Sequence, residues 1–150
     1  MADRLTPEER SRNMAKIKSS NTKPELFVRK LLHSRGYRYR IAPGKMDGRP
    51  DIWLAKYNTA IFIHGCFWHR HRNCSLAYMP KSQTEFWTKK FKDNRARDQK
   101  VNSLLLEQGH RILVIWECTV RKMKQSEETA CSVLDRIEAF LHSSETYLEL

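Results

Sequence analysis

No stretch of the chain approaches the roughly 18 consecutive apolar residues that a membrane-crossing helix requires, which excludes a helical membrane protein. The segment Met1 to Asn13 is charged and polar and lacks the apolar centre of a secretory signal, so a soluble, cytoplasmic protein is expected. Cysteine is scarce: Cys66, Cys74, Cys118 and Cys131 are too few and too scattered for a disulfide framework in a chain without an export signal. Metal ligation or core packing remains for them, and Cys131, inside an expected helix, is assigned to the core. Internal repeats and low-complexity linkers are also absent, which excludes solenoids and tethered modules. With 150 residues a second independent core would leave each half marginal, so one domain is expected.

Acid is in deficit as well. Lys and Arg number 28 against 17 Asp and Glu, a formal charge of +11. Such an excess favours a polyanionic partner, because each neutralised phosphate releases condensed counterions, although a solvated cationic surface accounts for the same number. An apolar fraction of 40% with 10% aromatics is enough to build a core, so global disorder is excluded.

The pattern of residues predicts a helix-flanked mixed sheet in one α/β domain. Thr6-Pro7-Glu8-Glu9 opens a helix running to about Lys18, with Thr6 and Glu9 closing a capping box. Thr22-Lys23-Pro24-Glu25 repeats that grammar for a helix whose apolar face pairs Phe27 with Leu31 and Val28 with Leu32 and which stops near Gly36. Tyr37 to Ile41 reads as a short strand, followed by a turn-rich loop marked by Pro43, Gly44, Gly48 and Pro50. Asp51 to Leu54 and Thr59 to Ile63 read as two strands joined through Lys56-Tyr57-Asn58. A long charged helix from Thr84 to Gln108 leads to a buried strand from Arg111 to Trp116. Glu127 to Leu141 supplies a last amphipathic helix, and residues 142–150 are expected to fray.

Two clusters carry chemistry. The run from Ile63 to Cys74 concentrates two thiols and three imidazoles, ligands that suit zinc. Cys66, His71 and Cys74 can form three corners of a tetrahedron and Cys118 the fourth, making a closed structural site; the alternative is cysteines in the core and histidines on the surface. In Gly48-Arg49-Pro50-Asp51 the carboxylate stands at a strand start, where it could bind magnesium together with a backbone carbonyl, or could merely cap a loop. The next strand, Ala60-Ile61-Phe62-Ile63-His64, lacks the second acid and the lysine that usually continue a Pro-Asp nuclease arrangement. Histidine can supply proton transfer instead, and His64 and His69 are left after zinc takes His71. Glu25 could hold one imidazole in its required tautomer or serve only as a capping-box acid.

The blocks Ser11-Arg12-Asn13-Met14, Gly48-Arg49-Pro50-Asp51, His64-Gly65-Cys66-Phe67-Trp68-His69, Thr84-Glu85-Phe86-Trp87 and Trp116-Glu117-Cys118 resemble, in order and spacing, the very short patch repair (Vsr) endonucleases over roughly residues 8 to 122. The resemblance implies a restriction-endonuclease-like fold and magnesium-dependent nicking of duplex DNA beside the thymine of a T·G mismatch left by deamination of 5-methylcytosine. It implies metal binding by Asp51 and the carbonyl of Ile63, proton transfer by His69, an orienting role for Glu25 and phosphate-side assistance from His64. Structural zinc is implied at Cys66, His71, Cys74 and Cys118. The loop from His71 to Cys74 is one residue longer than in some members, which leaves Asn73 as a chemically poorer alternative to Cys74; Ile63 stands where some carry threonine, keeping the carbonyl and losing the hydroxyl. Phe67, Trp68 and Trp87 resemble an aromatic wedge that enters DNA next to the mispair, and Met14 the apolar residue inserted from the other groove. Without the resemblance, those aromatics read as core packing. The expected enzyme is a monomer acting with possible mismatch-repair partners; a non-catalytic zinc-containing DNA-binding module and a nuclease without mismatch preference are its rivals.

Overall fold

The computed structural model describes residues 6–9, 22–41 and 46–150. Most of the helix expected over residues 7–18, and Met14 with it, lies outside the described residues. Its first turn does not: the Glu9 N–H donates to Thr6 Oγ1 at 3.1 Å and the Thr6 N–H donates to Glu9 Oε2 at 2.8 Å, the reciprocal pair of a capping box.

Helix α1 spans Lys23–Ser34, with the Thr22 hydroxyl accepting from the Glu25 N–H at 3.4 Å. Val28 and Leu32 are buried one turn apart on its inner face. Gly36 ends it at φ +88°, a left-handed conformation that lets the Tyr37 N–H return to the Leu32 carbonyl at 3.0 Å. Strand β1 (Arg40–Ile41) is shorter than the expected 37–41 and pairs antiparallel with β2 (Ile52–Leu54), which pairs antiparallel with β3 (Thr59–His64). The β2–β3 connection is a 3₁₀ turn, Ala55–Tyr57, closed by Asn58 at φ 51°. A long helix α2 (Thr84–Glu107) then crosses over so that β4 (Arg111–Trp116) lies parallel to β3.

Helix α3 (Glu117–Gln125) follows β4 directly; the sequence reading did not anticipate it. Helix α4 (Glu127–Leu141) is capped by Ser126, whose hydroxyl accepts from the Thr129 N–H at 3.2 Å. Its apolar stripe of Ala130, Val133, Leu134, Ile137 and Phe140 faces the sheet, and Cys131 lies off that stripe and is exposed, correcting its assignment to the core. The end of the chain, expected to fray, instead supplies β5 (Tyr147–Glu149), parallel to β4. Arg111 fastens this return: its guanidinium donates to the carbonyls of Phe140, Leu141 and Ser143 at the end of α4 and to that of Glu145.

The resulting five-stranded mixed sheet has the order β1-β2-β3-β4-β5 and is covered on both faces. Alternation along β3 and β4 sends Ile61, Leu113 and Ile115 toward α1, α3 and α4, and Ala60, Phe62, Ile112 and Val114 toward α2. His64 and Trp116, register partners at the carboxyl ends of these parallel strands, share the α2 side. That end is where side chains from several elements can converge. Among the described residues no helix is long and apolar enough to cross a membrane.

Candidate active site and metal centre

The loop before β2 is set by close packing. Gly48 lies at φ +74°, and a Cβ there would stand 2.2 Å from Cγ1 of Val101 on α2, so only glycine allows this approach. Arg49 follows at φ 45°, and the chain then enters β2 with Asp51 turned toward β3, where its Oδ2 accepts the Ile63 N–H at 2.7 Å. Asp51 and Ile63 are thereby brought together through the Ile63 N–H. Burial pushes the Asp51 carboxyl up to about 7; the Ile63 N–H opposes this and the nearby Glu25 carboxylate adds to it. Glu25 is itself buried and pairs with Arg29 at 3.2 Å. The Glu25 backbone N–H donates to the Thr22 cap, while its carboxylate faces Arg29 and Asp51.

His64 closes β3, and His69 returns over it after a turn in which the His69 N–H donates to the Gly65 carbonyl at 3.1 Å. The two imidazoles stack at 3.9 Å between centroids and 4° between planes. Burial, reinforced by the adjacent His69, pushes His64 down to about 3, so it is a neutral ring at physiological pH. Nδ1 of His69 meets Oδ2 of Asp98, on α2, at 2.6 Å. Asp98 was missed in the sequence, where it is one acid among many charges on a helix read as exposed. Its only distinguishing signal is its place one turn before Val101, the residue against which Gly48 packs. These groups open onto a cleft of about 570 Å³, also lined by Arg95, Trp116 and Tyr147.

Beside the imidazole stack, Cys66, His71, Cys74 and Cys118 bring one ligand atom each within 4.8 Å of one another. Nδ1 of His71 lies 3.6 Å from Cys66 Sγ and 3.4 Å from Cys118 Sγ. Around zinc, with Zn–S near 2.3 Å and Zn–N near 2.0 Å, tetrahedral ligand atoms stand about 3.5 to 3.8 Å apart, so the two His71 distances match such a site and the four donors together could hold a metal ion. Asn73 adopts φ 53°, and Cys74, which follows it, lies in the cluster. Burial pushes the Cys66 thiol up to about 12, which a cation at the cluster would have to overcome. The Trp116 indole stacks on His71 at 4.2 Å and meets His64 edge-on at 5.3 Å, so one ring buttresses both clusters.

Phe67, Trp68 and Trp87 belong to neither sheet-face core. They form a partly exposed cluster on α2, with Phe67 meeting Trp68 at 5.2 Å and Trp87 at 5.4 Å over the buried ring of Phe91. The Asn94 side chain on α2 donates to the Trp68 carbonyl at 3.2 Å, tying the cluster to the helix that carries Asp98.

A family model described as DNA mismatch endonuclease Vsr matches residues 2–76. The chain is 46% identical over 121 residues to the type II nicking enzyme V.NmeAIP of Neisseria meningitidis, covering 81% of this chain and 86% of that protein. It is 42% identical over 135 residues to the type II nicking enzyme V.XorIIP of Xanthomonas oryzae, covering 90% of this chain and 98% of that protein. It is also 37% identical over 141 residues to the DNA mismatch endonuclease Vsr of Escherichia coli, covering 94% and 88% respectively. With a carboxylate, a paired imidazole and a metal-ready thiol cluster gathered at one sheet end, the chain belongs to the Vsr family of DNA endonucleases.

Proposed function

We propose that this endonuclease nicks one strand of duplex DNA beside the thymine of a T·G mismatch arising from 5-methylcytosine deamination, in a magnesium-dependent reaction, and so initiates very short patch repair. The observation that carries the reading is the His69–Asp98 pair, 2.6 Å apart, stacked on His64 at the strand end that also holds Asp51. The names of the Escherichia coli and Neisseria relatives, a mismatch endonuclease and a nicking enzyme, support it.

Asp51 and the main-chain carbonyl of Ile63 would hold the magnesium ion, which when bound neutralises charge on the scissile phosphate and lowers the pKa of a coordinated water. Asp51, its carboxyl raised chiefly by burial and further by the adjacent Glu25 carboxylate, and Glu25 together fit a cation-binding role. Asp98 fixes the His69 tautomer by accepting from Nδ1, which leaves Nε2 to take the proton of the attacking water and stabilises the imidazolium that results. The orienting task assigned to Glu25 thus passes to Asp98, and Glu25 acts on the Asp51 side. Water attacks phosphorus, the P–O3′ bond breaks, and the products carry a 5′-phosphate and a 3′-hydroxyl. His64, kept uncharged by burial, steadies the His69 ring and faces the phosphate.

Lys89, Lys90, Lys92, Arg95 and Arg97 on α2 neutralise backbone phosphates without reading sequence. Phe67, Trp68 and Trp87 wedge into the base stack next to the mispair, where a wobble pair lowers the cost of unstacking, and Met14 enters from the other groove. Cys66, His71, Cys74 and Cys118 hold a structural zinc. The whole is read as one restriction-endonuclease-like domain acting as a cytoplasmic monomer, alone or with mismatch-repair proteins. The test is nicking of otherwise identical T·G and matched duplexes with magnesium supplied or withheld. Strand-specific cuts only in the T·G duplex and only with magnesium are expected; equal cutting of both would leave a nuclease without mismatch preference, and cutting of neither a DNA-binding module.

A further inference from the structure

Arg70, next to His69, is used in a way that neither the catalytic nor the metal reading requires. Its backbone is left-handed at φ 54°, which turns the side chain back under the aromatic cluster. There Nη1 donates to the carbonyls of Phe67 at 3.2 Å and Tyr78 at 3.0 Å, and Nη2 donates to that of Ala77 at 2.9 Å. The guanidinium plane lies over Phe91, 3.9 Å from its centroid, and 5.7 Å from that of Phe67. One fork therefore joins the Phe67-Trp68 turn to the loop at residues 77–78 across the face of α2. A planar guanidinium can serve three carbonyls and stack on a ring at once, which a lysine ammonium cannot.

The loop so fastened presents Tyr78, whose ring sits 5.0 Å from Phe67 at a 42° tilt and is 63% exposed. An aromatic ring supported on one side and left open on the other is a stacking surface for a base. It continues outward the line of Phe91, Phe67 and Tyr78, from the buried ring to the exposed one.

We propose that Arg70 is a positioning residue that pre-forms the aromatic wedge, and that Tyr78 is its outermost ring, stacking on a base step beside the mispair, so that this pair sets discrimination between mismatched and matched duplex. The inference rests on the proposed mismatch-directed function and extends it to residues with no part in the chemistry. Holding the rings in place before DNA arrives spares the ordering cost on binding, and the benefit is collected only where unstacking is easy.

Binding of the zinc-containing full-length protein to T·G and matched duplexes, without magnesium, tests this, alongside thermal unfolding and the fluorescence of a 2-aminopurine placed next to the mispair. Tyr78→Ala is expected to weaken T·G binding roughly tenfold with matched binding nearly unchanged. It should lose the 2-aminopurine brightening and keep the melting temperature, since the ring is exposed; Tyr78→Phe should restore wild-type behaviour. Arg70→Lys keeps the charge near DNA but not the fork, and should lower T·G affinity while sparing matched affinity. If Tyr78→Ala leaves the T·G to matched ratio unchanged, or weakens both duplexes equally, the proposal is overturned while the mismatch reading stands. A wild-type protein without T·G preference would sink both. Should Arg70→Lys fold poorly, the Tyr78 variants decide alone.

Discussion

Gly48→Ala offers the sharpest probe of how the site is assembled, because the contact at stake joins the loop that delivers Asp51 to the helix that delivers Asp98. Two costs arise. An L-residue at φ +74° pays roughly 1 to 2 kcal/mol for the left-handed conformation. The new methyl would stand 2.2 Å from Cγ1 and 3.2 Å from Cβ of Val101, a stiff β-branched side chain that cannot swing aside, which adds roughly 1 to 3 kcal/mol of overpacking. The expected total is about 2 to 5 kcal/mol, which for a chain of this size lowers the melting temperature by roughly 5 to 15 °C. Relief of the clash moves Asp51 relative to His69 and Asp98, so nicking should fall by about ten- to a hundredfold even at temperatures where the variant is folded. The double variant Gly48→Ala with Val101→Ala removes the clash and leaves the backbone cost. A double-mutant cycle from thermal unfolding should therefore give a favourable coupling of about 1 to 3 kcal/mol, with partial recovery of nicking. Additive single effects, within about 0.5 kcal/mol, would refute the reasoning that this close approach sets the loop.

Asp98→Asn should keep binding and zinc but slow nicking by about a hundredfold or more and alter its pH profile, since the amide cannot stabilise an imidazolium at His69; an unchanged single-turnover rate would remove Asp98 from proton transfer. Asp51→Asn should abolish magnesium-dependent nicking while mismatch binding survives. Because the folded Asp51 pKa of about 7 lies above its ordinary value of 3.8, its protonation contributes stability that is complete below pH 3.8 and lost as pH rises through 7. Thermal unfolding at pH 8, in magnesium-free buffer that retains zinc, should then find Asp51→Asn at least as stable as wild type; a loss of the same size at pH 5 and pH 8 would contradict this. Cys118→Ser should lose about one zinc per chain and several kcal/mol of stability together, measured by metal analysis and unfolding on the same preparation; a folded, fully active variant without zinc would remove the structural site.

Local grammar determined a good deal of this protein from its sequence. The Thr22 cap, the left-handed stop at Gly36, the turn at Asn58 and the uninterrupted apolar run from Ile112 to Trp116 are each decided by neighbours a few residues away, and each stands where it was read. The spacing of Cys66, His71 and Cys74 likewise pointed to a candidate ligand set, although only the parallel pairing of β3 with β4 brings Cys118, 52 positions beyond Cys66, against it. Tertiary structure alone decided the rest. Asp98 is one carboxylate on a helix crowded with charge, and nothing local distinguishes it from its neighbours until the crossover lays that face of α2 over His69. Arg70 is one arginine in a basic run, and its fork becomes legible only when the loop at residues 77–78 folds back beneath it. Residues 147–149 lack the length and alternation of a strand and acquire their structure by pairing with the exposed side of β4. Helices, caps and turns are short-range and can be read along the chain, whereas a hydrogen bond between distant side chains exists only once packing has removed every other way for the two groups to meet.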